Sequence, residues 1–389
     1  MSIDSEIANP TNIEQHSTDV LIIGSGLAGM QVLNAIHKRS ELNHLSVLLI
    51  DPLKTHNKTW CFWEEGKGQW EELIHKQWTS GDFIASSEKL DLQMDQYSYK
   101  MIRSTDFLEH FHQLIEKNDR FELIKTTISE LEIEKGIAIG DGVQIKAKYI
   151  FDSRFDLDEI KLSDEPSVLQ HFKGWFIRSS EDVFEPEKFT MMDFSFSLED
   201  ECSFIYLLPF SKNEALVEFT YFSPQLAEDE TYDRLIKEYL DARLDGISYD
   251  LIDTEKGIIP MSTHNFQAKN SGNYCRIGTA GGWVKSSSGY SFKMAEKKSK
   301  VIAQNLIDGS ILNKGLFEKR FRFYDKIFLN ILENENALGN QLFQEMYQNN
   351  KASKIFRFLD EDSTLKEELK IISSFKSSPF LKAFRREFL

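Results

Sequence analysis

A chain of 389 residues has room for two domains and an accessory segment, and its formal charge of −16, from 46 Lys and Arg against 62 Asp and Glu, argues against nucleic acid as a general partner. Its three cysteines, Cys61, Cys202 and Cys275, are far apart and odd in number, which fits a reducing compartment and neither a disulfide framework nor a zinc knuckle. No apolar run approaches a membrane span and Met1 to Thr18 lacks the apolar core of a signal peptide, so the expected location is cytoplasmic.

In chain order, Val20-Leu21-Ile22-Ile23 reads as a buried strand, Gly24-Ser25-Gly26-Leu27-Ala28-Gly29 as a tight turn, and Leu27 to Arg39 as a helix. In such a turn Gly24 allows the bend, Gly26 lets a pyrophosphate approach, and Gly29 lets helix and strand pack closely, while the N–H groups of Leu27 and Ala28 face the negative charge. A second run, Val47 to Ile50, ends in Asp51, where a carboxylate accepts hydrogen bonds from an adenosine ribose. A polar loop, Lys54 to Lys58, then enters an aromatic cluster in which Trp60 and Trp63 are candidates to line a site beside the nucleotide, or to plug the space beneath the loop.

Ser98 to Arg103 predicts a strand and Thr105 to Glu116 a helix capped by Thr105 or Ser104. His110 and His112, two apart on that helix, point away from each other and do not share a metal. Phe121 to Ile150 alternates apolar and polar residues around Gly136, Gly140 and Gly142, as in a small antiparallel set. The segments His171–Arg178, Phe189–Leu198, Ser203–Pro209 and Glu214–Phe222 predict one aromatic-rich antiparallel sheet, followed by a helix from Thr231 to Arg243 and a connector from Glu255 to Pro260 back to the first domain. A second glycine turn, Gly278-Thr279-Ala280-Gly281-Gly282, precedes a helix from about Gly289 to Ile307. Two glycine turns feeding helix N-termini suit one long two-headed ligand, and FAD is the economical choice. Beyond Leu316 the chain is mostly helical. Its last stretch sets Phe380, Leu381, Phe384 and Phe388 among Lys382, Arg385 and Arg386, which suits a helix in a lipid headgroup layer or one docked on its own domain. Thirty Phe suggest an aromatic-lined interior, or Phe used for Leu in packing.

The expected architecture is α/β. A discontinuous Rossmann-like FAD-binding domain (18–69, 101–155 and 256–309) joins an antiparallel-sheet substrate domain (70–100 and 156–255) and a C-terminal helical segment (310–389).

Several stretches together resemble the bacterial lycopene cyclases, flavoproteins that close the ends of a linear carotenoid into rings. They are the Gly24 turn, Leu49-Ile50-Asp51, Asn57 to Phe62, Phe172-Lys173-Gly174-Trp175, Met192-Asp193, Tyr206 to Pro209, Val217 to Tyr221 and Gly289-Tyr290-Ser291, in the family's order from about 19 to 307. The resemblance implies proton-initiated, non-redox cyclisation of lycopene or a related linear carotenoid to β-ionone rings. It also implies reduced FAD with NAD(P)H as electron source, and peripheral contact with the inner membrane. The family's first acidic residue falls on Glu218, the expected acid–base group. Its second falls on Phe219, its His-Pro on Lys285-Ser286, and the Asp that related flavoproteins place after the late glycine on Thr279.

On a strand Glu218 shares a face with Leu216, Thr220 and Phe222, and a carboxyl on such an apolar face favours its neutral form. Asp193, beside Met191 and Ser195, is a second catalytic candidate, and Trp63, Trp175, Tyr206 and Tyr290 are candidates to contact substrate. Two other readings share these residues: an FAD-dependent reductase or hydroxylase of an isoprenoid lipid, and a flavin- and lipid-binding protein without catalysis.

Overall fold

The run Val20 to Ile23 is buried because it lies in the middle of a parallel sheet covered on both faces. In the computed structural model, which describes residues 13–53, 57–85 and 88–389, the strand Glu14–Ile23 pairs with Val47–Ile50 on one side and Val143–Asp152 on the other. Phe121–Ile124 and Tyr274–Arg276 extend this sheet in parallel. The expected antiparallel set therefore begins later, at Ile128–Glu132, because Phe121–Ile124 pairs with Val47–Ile50 rather than with its neighbours in sequence. The helices Leu27–His37 and Phe292–Ile307 contribute to one core with Val20, Ile22 and Phe151. Lys54, Thr55 and His56 of the polar loop, and Met1 to Asn12, lie outside the described residues.

The aromatic segments form a second sheet of seven strands. Its order is Tyr249–Ser262, Ser167–Ser179, Glu214–Ser223, Ser203–Pro209, Lys188–Asp193, Ser80–Ile84 and Lys89–Asp91. The predicted connector from Glu255 is thus the middle of a fourteen-residue edge strand. Val217, Phe219 and Tyr221 point to one face and pack on the helix Asp229–Leu244 through Leu235 and Ile236. The other face looks toward the strand Thr59–Glu65, which pairs with Tyr97–Arg103 in a third, three-stranded sheet. The helix after Tyr97–Arg103 begins at Ser104 without a side-chain cap, and the Ser104 hydroxyl instead accepts the N–H of Lys58 at 2.8 Å. The late helix starts at Phe292, not Gly289.

Five helices follow: Lys319–Asn334, Gly339–Asn349, Ala352–Leu359, Leu365–Ile372 and Ser377–Phe388. Phe343, Met346 and Phe356 from these helices share a core with Met191, Met192 and Phe204 of the second sheet. The last helix docks on Lys319–Asn334 by burying Ala383 and by bonds from Arg386 to Asn330 and Glu335. It leaves Leu381, Phe384 and Phe388 exposed. Among the described residues no helix is long and apolar enough to cross a membrane.

Candidate active site

The first glycine turn has the shape a phosphate cradle needs. Gly24 sits at φ +97°, and a Cβ on Gly29 would lie 2.0 Å from the Gly24 carbonyl oxygen, so only glycine closes the turn. A Cβ on Gly26 would meet nothing within 4 Å, which leaves open space before a helix whose first turn, with the N–H groups of Leu27 and Ala28, has no side-chain cap. Asp51 accepts the N–H groups of Ser25 (2.7 Å) and Leu53 (2.6 Å) and so ties the strand end to the turn, with lone pairs left for a hydroxyl-bearing ligand.

Gly278 comes against this turn, since a Cβ there would stand 3.0 Å from the Ala28 Cβ, and Thr279 follows it half-buried. Gly281 and Gly282 do different work. A Cβ on either would strike the Arg276 carbonyl oxygen (2.3 Å) or the Phe266 ring (2.7 Å), so these two serve close packing. These residues fit a dinucleotide cofactor: an open, uncapped helix N-terminus, a carboxylate at the strand end, and a second turn packed alongside.

Beyond the late turn lies a cavity between the second sheet and the strand Thr59–Glu65. Trp60, Phe172, Tyr206, Glu218, Thr220 and Tyr290 are among its walls. Two of its wall residues, Tyr206 and Glu218, begin a row that strand register carries on beneath the wall. Tyr206 stands opposite Glu218, Glu218 opposite Gly174, and Gly174 opposite Glu255, one row across four strands. All four share a face, and the row contains two carboxylates with nothing but a glycine between them. A Cβ on Gly174 would lie 3.3 Å from the Glu255 Cγ and 3.6 Å from the Glu218 Cβ.

Both carboxyls are out of water: Glu218 is 6 % exposed and Glu255 8 %. Burial pushes Glu218 well above the usual carboxylate range, the Glu255 charge pushes it further, and the Thr220 hydroxyl, donating at 2.7 Å, pulls weakly the other way. Burial also raises Glu255, but this carboxylate accepts the Thr59 hydroxyl at 2.7 Å and the Thr59 N–H at 3.1 Å, both of which favour its ionised form. The pair therefore holds its first negative charge on Glu255 and keeps Glu218 neutral. Tyr206 donates to the Tyr99 hydroxyl (2.7 Å), which meets the Tyr290 hydroxyl (2.8 Å), and Tyr290 in turn points at the Met191 sulfur (3.3 Å). Burial keeps all three phenols neutral.

The candidates thus divide. Glu218, Trp60, Tyr206 and Tyr290 meet at the cavity. Trp63 lies one layer behind, in edge contact with Tyr290 at 4.4 Å, stacked on Phe356 and bonded to Asp360 at 2.7 Å. Trp175 is corrected by register: it stands opposite Val217 on the far face, where its ring N–H bonds Asp233 of the helix Asp229–Leu244. Asp193 is also outside the cavity. The pairing with Ser203–Pro209 slips between Thr190 and Asp193, so Met191 and Met192 both line the cavity while Asp193 turns to Ser195 and Tyr239. Phe219, where the family has its second acid, faces the helix. Lys285 is buried in ion pairs with Asp325 (2.8 Å) and Glu361 (3.1 Å).

Glu255 was not among the sequence-derived candidates, because Glu255 to Pro260 reads as a connector back to the first domain. The available signal was parity: Glu255 shares its strand face with Gly257, Ile259 and Met261, of which Ile259 lines the cavity and Met261 is buried.

A mainly parallel sheet ending in a glycine turn, set beside a mainly antiparallel sheet with an aromatic cavity, is the fold of FAD-dependent flavoproteins. Solved structures share it at low identity. Flavin-dependent brominase Bmp2 superposes with a TM-score of 0.62 at 14% identity, covering 95% of this chain and 100% of that one. A geranylgeranyl bacteriochlorophyll reductase-like protein from Thermoplasma acidophilum gives 0.59 at 12%, covering 96% and 98%. A flavoprotein/dehydrogenase from Cytophaga hutchinsonii gives 0.57 at 13%, covering 92% and 100%. No curated protein sequence matches the chain significantly. The family model for lycopene cyclase protein matches residues 19–385, and the chain belongs to that family.

Proposed function

We propose that this protein cyclises the end groups of lycopene, or a closely related linear carotenoid, with Glu218 as the proton donor. The observation that carries the reading is the row Tyr206, Glu218, Gly174, Glu255: a buried carboxyl on the wall of an aromatic cavity, backed by a second carboxyl two strands away in the same row. Protonating an alkene in water is very unfavourable, so the reaction requires a neutral acid in a dry site. Glu218 gives its proton to the terminal double bond of the polyene, leaving a tertiary cation. The next double bond of the end group attacks that cation and closes a six-membered ring, and loss of a ring proton restores neutrality. One proton enters and one leaves, so the product is an isomer of the substrate.

Glu255, which its two bonds from Thr59 make the easier of the pair to ionise, favours the cation electrostatically when charged and is then the carboxylate available to accept the departing proton. The faces of Trp60 and Tyr206 add roughly 0.5–2 kcal/mol each toward a desolvated cation. FAD fits the two glycine turns and Asp51, and in reduced form, with NAD(P)H as its electron source, it would supply an electron-rich ring system without net redox change. The exposed Leu381, Phe384 and Phe388 beside Arg385 support contact of the last helix with a membrane surface.

The test is an anaerobic assay with reduced FAD and lycopene, read by mass and retention time. A cyclic product of unchanged mass is expected. A product heavier by two hydrogens or an oxygen would instead make the protein a reductase or hydroxylase, and binding without turnover would make it a carrier.

A further inference from the structure

A second chamber lies behind the acid cavity. The two share Met191, Met192, Ser288 and Tyr290, and the remaining walls of the second come chiefly from the C-terminal helices, including Phe328, Phe343, Met346 and Tyr347. Its lining is mainly aromatic, thioether and aliphatic, with Ser287 and Ser288 at the end nearest the acid cavity. Its carboxylate, Asp325, is ion-paired with Lys285 at 2.8 Å. Phe375 and Phe380 close the outer end, their rings 5.0 Å apart, and Phe380, Phe384 and Phe388 continue one face of the last helix out to exposed positions.

Polar groups fix a ligand's orientation in a pocket, and a chamber with so few suits a ligand that has none. The partition between the chambers is made of groups that move easily: two methionines, with the Tyr290 hydroxyl resting on the Met191 sulfur at 3.3 Å. The acid lies on one side of that partition and the apolar chamber on the other. A molecule reaching across both must present a reactive end to Glu218 and a long apolar body to the helices.

We propose that the second chamber binds the linear polyene behind the end group being cyclised, and that the C-terminal helices are thereby part of the substrate site. The proposal rests on the cyclase reading, whose substrate is an acyclic hydrocarbon far longer than its reacting end.

The test uses the full chain loaded with FAD and lycopene delivered in phosphatidylcholine vesicles. Polyene binding is followed by quenching of tryptophan fluorescence, and turnover is compared with that of a short acyclic polyene bearing the same end group. Met346→Trp fills the chamber, and the milder Ile372→Phe narrows its outer end should the first variant fold poorly. At least tenfold weaker lycopene binding is expected, with a similar fall in the preference for lycopene over the short substrate. Wild-type binding and preference in a folded variant would overturn the chamber's role while leaving the cyclase reading intact. Loss of binding in the variants of a protein that binds lycopene but never cyclises it would sustain the chamber and overturn the cyclase reading. Absence of lycopene binding by the wild-type protein would overturn both.

Discussion

Gly174→Ala places one methyl group between the two carboxyls. The added Cβ would stand 2.8 Å from the Leu216 Cδ1 and 3.3 Å from the Glu255 Cγ. Ordinary carbon contacts are about 3.5–4.0 Å, so the Leu216 methyl and the new Cβ must separate by about 1 Å more, and Glu255 must give by a few tenths of an ångström. Leu216 is fully buried in the sheet core and yields little, whereas the Glu255 stem ends in a flexible carboxylate held by two bonds to Thr59. Overpacking of this kind costs roughly 1–3 kcal/mol of stability. The functional loss is expected to be larger than that cost alone would give. Displacing a reacting group by about 1 Å lowers rates by roughly 100-fold, so a shift of a few tenths of an ångström at Glu255 is expected to lower the rate several-fold. The assay is cyclisation rate, FAD content and urea midpoint, measured beside Ile236→Val, a core change on the far face of the sheet with a comparable stability cost. Gly174→Ala should keep FAD and lose most turnover, while Ile236→Val keeps both. Wild-type turnover in Gly174→Ala would refute the idea that the spacing of Glu218 and Glu255 matters.

Other expectations follow from the same geometry. Because burial raises both carboxyls above their unfolded values, the unfolded chain releases these protons first, so their contribution to stability is present at low pH and is lost as pH rises through the folded values. Urea midpoints should fall from pH 6 to pH 9, and Glu218→Gln should flatten that fall. Gly26→Ala should leave the melting temperature of the cofactor-free protein unchanged and weaken FAD at least tenfold by titration, whereas Gly29→Ala, striking the Gly24 carbonyl, should lose stability as well. The triple change Leu381→Ser, Phe384→Ser and Phe388→Ser should lower co-sedimentation with anionic liposomes several-fold, and unchanged sedimentation would remove the membrane contact.

What could be read from the chain was whatever its own neighbours decide. The turn at Gly24, the carboxylate at Asp51 and the face of Glu218 all follow from residues within a few positions of one another. The carboxyl pair does not. Glu218 and Glu255 share a row because the strand Ser167–Ser179 lies between theirs and offers Gly174, and no local pattern states that register. Trp175 had an equal claim as an aromatic beside the matched Gly174, yet one residue along a strand is the opposite face. Asp193 was misplaced by the slip after Thr190, which changes the parity on which any alternation argument depends. Trp63 misses the cavity by one layer, since Tyr290, from far along the chain, stands in front of it.

The most direct test of Glu218 as proton donor is anaerobic turnover of lycopene in deuterium oxide with reduced FAD. The account predicts one deuterium per ring formed by the wild-type protein, and no ring from Glu218→Gln with its FAD retained. Rings free of deuterium, or full turnover by Glu218→Gln, would contradict it.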